Sequence, residues 1–241
     1  MTRPALALKL TRRELNTAVA KATQDLWDSI DLDNIDASWP AILDALIGII
    51  AEAHGQGVEI AEDEYRTARL AAGILGDPPF APATFRVDDL REALTINGPI
   101  ALKVALRRRQ SRERAIAVAM SRLVGTSTRL AADGARRTTL NMVAADGRSL
   151  GWARIPRPGA CAFCMMLSTR GGAYKSRESA LQTKDGLSYH AHCGCYPEPV
   201  FDDNWQPPKH VREAEKLYAE TPTNGDAIKS FRAAYEAAQN T

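Results

Sequence analysis

A chain of 241 residues with 45% hydrophobic and 25% charged side chains can bury a sizeable core and is too apolar for wholesale disorder. Aromatic residues are only 6%, which favours helices over a β-sandwich, and the best apolar run, Ala41 to Ala51, is short and carries Asp44, so no membrane span is expected. The net charge of +2 hides an internal division: residues 1–97 carry −7, residues 98–150 carry +8 and residues 151–241 carry +1, an asymmetry that bears on partners rather than on fold.

Lys9, Arg12 and Arg13 break the N-terminal apolar stretch, so no secretory signal is expected and the four cysteines are expected to be reduced thiols. A first helix is predicted from about Thr11 to Ile30, with Thr11 and Glu14 forming a capping box. A second is predicted after Ser38, with Pro40 in its first turn. Ile42, Leu46, Ile50, Ala53, Ile60, Ala68 and Leu75 recur roughly every third or fourth residue, and Gly55 and Gly57 predict a bend or split midway. Residues 76–83, rich in proline, read as a connector. Short helices are expected at Asp88–Leu94 and Pro99–Arg109.

A long helix is predicted from Glu113 to about Ala145, with Ile116, Met120, Leu123 and Leu130 on its apolar stripe. Arg122, Arg129 and Arg136 recur every seven residues along another stripe, and Arg129 can pair with Asp133 four residues on. Between Asp25 and Glu64 there are 11 acids and no Lys or Arg, whereas Arg107, Arg108, Arg109, Arg112 and Arg114 fall within eight residues. Either the acidic and basic segments face each other or lie solvated, or the basic segment meets phosphate or an acidic protein.

Trp152 to Ile155 reads as a short strand, and Pro156 and Pro158 then force an extended approach to the first cysteine pair. Residues 167–184 read as loop with one short helix. Tyr196 to Phe201, interrupted by Pro197 and Pro199, reads as an edge strand. Two closing helices are predicted at Lys209–Ala219 and Asp226–Gln239, the second capped by Asn224. The expected fold is mainly α, α+β overall. Its divisions are an acidic helical region (1–97), a basic helical segment (98–149), a Cys/His subdomain (150–205) and C-terminal helices (206–241).

All four cysteines and two of the four histidines lie in a 35-residue window, as Cys161-Ala162-Phe163-Cys164 and His190-Ala191-His192-Cys193-Gly194-Cys195. A C-x2-C pair lets two thiolates turn around one ion, and zinc takes four such soft or borderline ligands in a tetrahedron. The candidate ligands are Cys161, Cys164, His190, Cys193 and Cys195. The preferred set is Cys161, Cys164 and His190 with one of Cys193 and Cys195, favouring Cys195; four-cysteine ligation is the alternative, and His192 ranks below His190. No H-E-x-x-H, deaminase, phosphate-loop or G-x-S-x-G pattern accompanies the cluster, so a structural zinc in a protein that is not an enzyme is expected.

Several segments occur in a telling order: Ala135-Arg136-Arg137-Thr138-Thr139, Gly151-Trp152, the first cysteine pair, His190 to Cys195, and Pro199-Val200-Phe201. Taken with Arg170-Gly171-Gly172 and Tyr174-Lys175-Ser176, the pattern resembles the head morphogenesis family of tailed phages typified by the F protein of phage Mu, and within it the capsid maturation proteins of phages of actinobacteria. The likeness covers about residues 130–201 well and the N-terminal helices more loosely, through Trp39, Ala68-Arg69 and Gly73. It implies a minor capsid protein made in the bacterial host cytoplasm and carried in the virion, at the portal vertex or capsid interior. Its partners would be portal or major capsid protein, with non-specific contact to duplex DNA through Arg107, Arg108, Arg109, Arg112 and Arg114, and no membrane. The competing expectation is a zinc-containing nucleic-acid-binding protein or HNH-like nuclease.

Overall fold

Apolar residues spaced by three and four build the first half of the chain into helices. The computed structural model describes residues 3–169, 192–222 and 225–239, with side chains from residue 11 onward; in it α1 spans Arg3–Asp28 and α2 spans Ile35–Ala71. Ile35, Trp39, Leu43, Leu46, Ile50 and Ala53 follow one face of α2 and are buried. The turn between the helices is closed by short side chains. Ser29 Oγ donates to Leu26 O at 2.8 Å, and Asp31 Oδ1 accepts from the amides of Asp33 and Asn34 at 3.0 and 3.2 Å.

After the connector come α3 (Val87–Thr95), a π-helical turn (Ile96–Ile100), α4 (Ala101–Arg107) and α5 (Arg112–Ala145). Trp39 explains the π turn's composition: its indole donates to Thr95 Oγ1 at 3.1 Å, and its ring lies 2.9 Å from where a Cβ on Gly98 would sit. The second half supplies β1 (Gly151–Ile155), α6 (Ala162–Ser168), β2 (Tyr196–Val200), α7 (Lys209–Glu220) and α8 (Ala227–Gln239). The strands pair antiparallel, Gly151 with Val200 through Ile155 with Tyr196. The fold is mainly α with a small two-stranded sheet, as composition predicts.

Several local expectations are corrected. Thr11 is no N-cap, because α1 already runs from Arg3. α2 begins before Ser38, and it neither splits nor ends at Gly55 and Gly57. Leu75 is off the helical stripe and 82% exposed beyond the end of α2. The cap of α8 is Asp226, whose Oδ1 accepts from Lys229 N at 3.0 Å; Asn224 lies outside the described residues. The arginine stripe of α5 is not a uniform solvated face, because Arg136 is buried at 2% exposure. The expected pair of Arg129 with Asp133 is present at 3.6 Å.

The chain divides into two compact units. The first takes residues 3–67, 81–138 and 192, and its core gathers Val19, Trp27, Trp39, Leu46, Leu94, Leu102 and Leu123. Within it, acids and bases far apart in sequence pair: Asp33 with Arg112 at 2.5 Å, Asp36 with Lys103 at 2.5 Å, Asp44 with Arg91 at 2.8 Å, and Glu64 with Arg12. Part of the opposed charge is thus matched inside this unit. The exposed pairs each contribute little to stability.

The second unit takes residues 68–80, 139–169, 193–222 and 225–239. Here Arg69 acts as a strap. Its Nε donates to Asp146 Oδ2 at 3.0 Å and its Nη1 to the carbonyls of Leu75 and Gly76 at 3.1 and 2.6 Å, so the chain leaving α2 is fastened to the residue that follows α5. The core of this unit packs α6 against α7 and α8 through Met165, Leu167, Ala214, Phe231 and Tyr235. No helix among the described residues is long and apolar enough to cross a membrane.

Candidate metal centre

Local chemistry decides where each cysteine falls. Cys161 is the N-cap of α6, with extended backbone at φ −63° and ψ 153°, and its carbonyl accepts from Met165 N at 3.0 Å. Cys164 sits on the third residue of that helix and is buried. The helix itself was not expected. Its sequence, Ala162-Phe163-Cys164-Met165-Met166-Leu167, is apolar without a period, and the helix is covered by α7 and α8. Cys193 and Cys195 flank Gly194 just ahead of β2. A Cβ on Gly194 would lie 2.8 Å from the Arg157 side chain, so the turn passes close to that residue.

The fold brings Cys164, Cys193 and Cys195 together, with their sulfurs all within 4.8 Å of one another and each residue buried. The Sγ atoms of Cys164 and Cys193 are 3.6 Å apart. That is far longer than a disulfide bond of about 2.05 Å. It is close to the edge of about 3.8 Å that a tetrahedron with metal–sulfur bonds of about 2.3 Å requires. These three residues could hold a metal ion. Cys161, exposed at the N-cap, lies outside the group, and all four cysteines are thiols rather than disulfides.

The crowded sulfurs resist ionisation without an ion. Hydrogen bonding to Cys193 and Cys195, then burial, pushes the Cys164 thiol up. Cys195 is pulled down by its bond from Cys164, but contact with Cys193 and burial outweigh this and push it up to about 12; the Arg154 charge opposes the rise. Arg154, on β1, is 1% exposed, so a buried cation stands beside the cluster. A metal entering here must displace thiol protons, and acid therefore competes with it.

His190 lies outside the described residues. His192, with φ at +62°, places Nε2 3.4 Å from Ser121 Oγ in the first unit. His210 Nε2 donates to Pro156 O at 2.8 Å, which steadies the segment leading from β1 to α6. Sequence reasoning missed Arg154. A lone basic residue between Trp152 and Ile155 reads as the solvent side of a half-buried strand, yet all five residues of β1 are buried.

No curated protein and no solved structure matches the chain. A family model described as VG15 protein matches residues 2–221. With nearly the whole length matched, the chain belongs to the VG15 protein family, a phage-associated viral gene family.

Proposed function

We propose that this chain is a structural, non-enzymatic minor capsid or head-morphogenesis protein of a tailed phage. It would act at the portal vertex or capsid interior, with portal or major capsid protein as partner, after synthesis in the host cytoplasm. The observation that carries the reading is the buried three-thiol cluster. Thiolates select zinc among abundant divalent ions, and a closed zinc site fixes shape, whereas a catalytic one keeps a position open to water. Cys164, Cys193 and Cys195 would be ligands, with the fourth position open to His190 or Cys161, the two other candidates the sequence offers, and the metal would fasten α6 to the start of β2. Membership of a phage family and the ordered likeness to the Mu F group support the head assignment. The test is composition of purified particles. Mass spectrometry and elemental analysis are expected to find the chain in procapsids or virions with one zinc per copy. A chain confined to the infected-cell lysate would overturn the head assignment, and a metal-free chain would overturn the zinc.

The nucleic-acid contact is part of the same proposal. Arg107, Arg108, Arg109 and Arg114 are exposed around the turn between α4 and α5, where Arg109 adopts φ +60°. Arg112 is engaged by Asp33. Such a patch neutralises backbone phosphate without reading bases. Duplex binding is expected to be sequence-independent, with log K falling by about 0.9 per phosphate neutralised as log salt rises. Reversing the charge at Arg107, Arg108 and Arg109 should flatten that slope and leave metal content unchanged. No binding even at low salt would remove DNA from the partners.

A further inference from the structure

We propose a second site, on the face of α5 centred on Asp133, that binds a phosphate-type oxyanion between the guanidinium groups of Arg129 and Arg137. Arg129 and Arg137 lie one helical turn to either side of Asp133, so their side chains converge on it. Arg129 Nη1 and Arg137 Nη2 both approach Asp133 Oδ2 at 3.6 Å, and Arg136 Nη1 approaches Oδ1 at 3.7 Å. A charge-assisted hydrogen bond is about 2.7–2.9 Å long. These arginines are therefore gathered by the carboxylate without being bonded to it. Asp133 Oδ2 is buried and accepts no hydrogen bond among the described residues.

Charge points the same way. Even with Arg136 set aside, two guanidinium groups face one carboxylate. On α2, His54 feels Asp133 and Arg137 and adds no negative charge: burial lowers its pKa, Asp133 partly offsets this, and Arg137 lowers it further. The two arginines are partly open to solvent. The Arg137 side chain is 31% exposed and that of Arg129 is 19% exposed, while Asp133 is at 9%. A small anion can reach these guanidinium groups from solvent. A tetrahedral phosphate can take a fork from each of two guanidinium groups at once, whereas the two oxygens of a carboxylate serve a single fork. This site shares no residue with the cysteine cluster or the basic turn, and it stands whether or not the head assignment holds.

The experiment is titration of the full-length, metal-loaded protein with inorganic phosphate, followed by phosphorus NMR and calorimetry against chloride at matched ionic strength. Saturable binding with Kd at or below about 1 mM is expected. Arg129→Gln and Arg137→Gln should each weaken it by about tenfold, the usual cost of a lost hydrogen bond to a charged group. Asp133→Asn should tighten it, because the competing carboxylate charge is gone. If the arginines only neutralise Asp133, that variant loses stability and gains no phosphate affinity. Displacement of phosphate by a short DNA duplex would assign the oxyanion to a nucleic-acid backbone, and lack of displacement would assign it to free phosphate. Absence of saturable binding, or binding indifferent to both arginine variants, overturns the proposal.

Discussion

Cys164→Ser is expected to abolish metal binding at the three-sulfur group and, where that metal is the proposed zinc, to unfold the second unit locally, while the helices of the first unit persist. A structural zinc contributes its binding free energy directly to folding, on the order of 10 kcal/mol in small zinc domains. Cys164 joins α6 to the turn ahead of β2, so its loss removes the one bond that would tie these elements covalently through a metal. Hydrogen exchange should then accelerate across α6, β1 and β2 and stay slow in the buried stretch of α2, and elemental analysis should report less than one zinc per chain. Cys161→Ser tests the fourth position. Its thiol stands outside the three-sulfur group, so that variant should keep its zinc where His190 completes the site. Full zinc in Cys164→Ser, or loss of zinc in Cys161→Ser alone, would show that the ligand set is different.

Gly134→Ala should be the most damaging of the small substitutions in the first unit. A Cβ at Gly134 would lie 2.2 Å from His54 O, a backbone atom of α2 that cannot rotate aside. The two helices would have to separate, and a loss of about 3 kcal/mol is expected, at the upper end of the overpacking range. Gly57 faces the same crossing from the other helix, where a Cβ would sit 3.0 Å from Ala135 N, so Gly57→Ala should cost less. Gly55 has nothing within 4 Å of its Cβ position. Gly55→Ala should therefore stabilise by up to about 1 kcal/mol through helix propensity alone. Urea midpoints of the three variants check the order. Equal effects at Gly55 and Gly134 would show that close approach is not what selects glycine here.

These glycines also show what the sequence conceals. Periodicity made the long helices legible, because burial on one face leaves its spacing in the chain: Leu46, Ile50 and Ala53 are buried as that spacing predicts. It could not show why Gly55 and Gly57 leave α2 whole, since the reason at Gly57 is a helix more than seventy residues away. Local capping chemistry misled in a similar way. Thr11 and Glu14 form a plausible start, yet the turn before them is helical as well. At α8 the acid next to the helix, Asp226, makes the cap. The cysteine window was legible as a gathering of soft ligands. Which sulfurs meet was not, because it depends on α6, a helix whose uniform apolarity carries no period. Arg136 looked like a surface residue because heptad spacing records the angle around an axis and not what lies opposite.

The strand β2 has a consequence for buried backbone donors. Leu150 N donates to Val200 O, which fixes residue 200, and by alternation 198 and 196, as those whose backbone groups turn toward β1. Residues 197 and 199 then turn the opposite way, and both are proline. The outward rim of the sheet offers carbonyls but no amide donors over that stretch, and both prolines are buried, so the chain that covers them leaves no N–H there in need of a partner. Pro197→Val with Pro199→Val would place two amide donors on that buried rim, each needing an acceptor that the native packing does not have to supply.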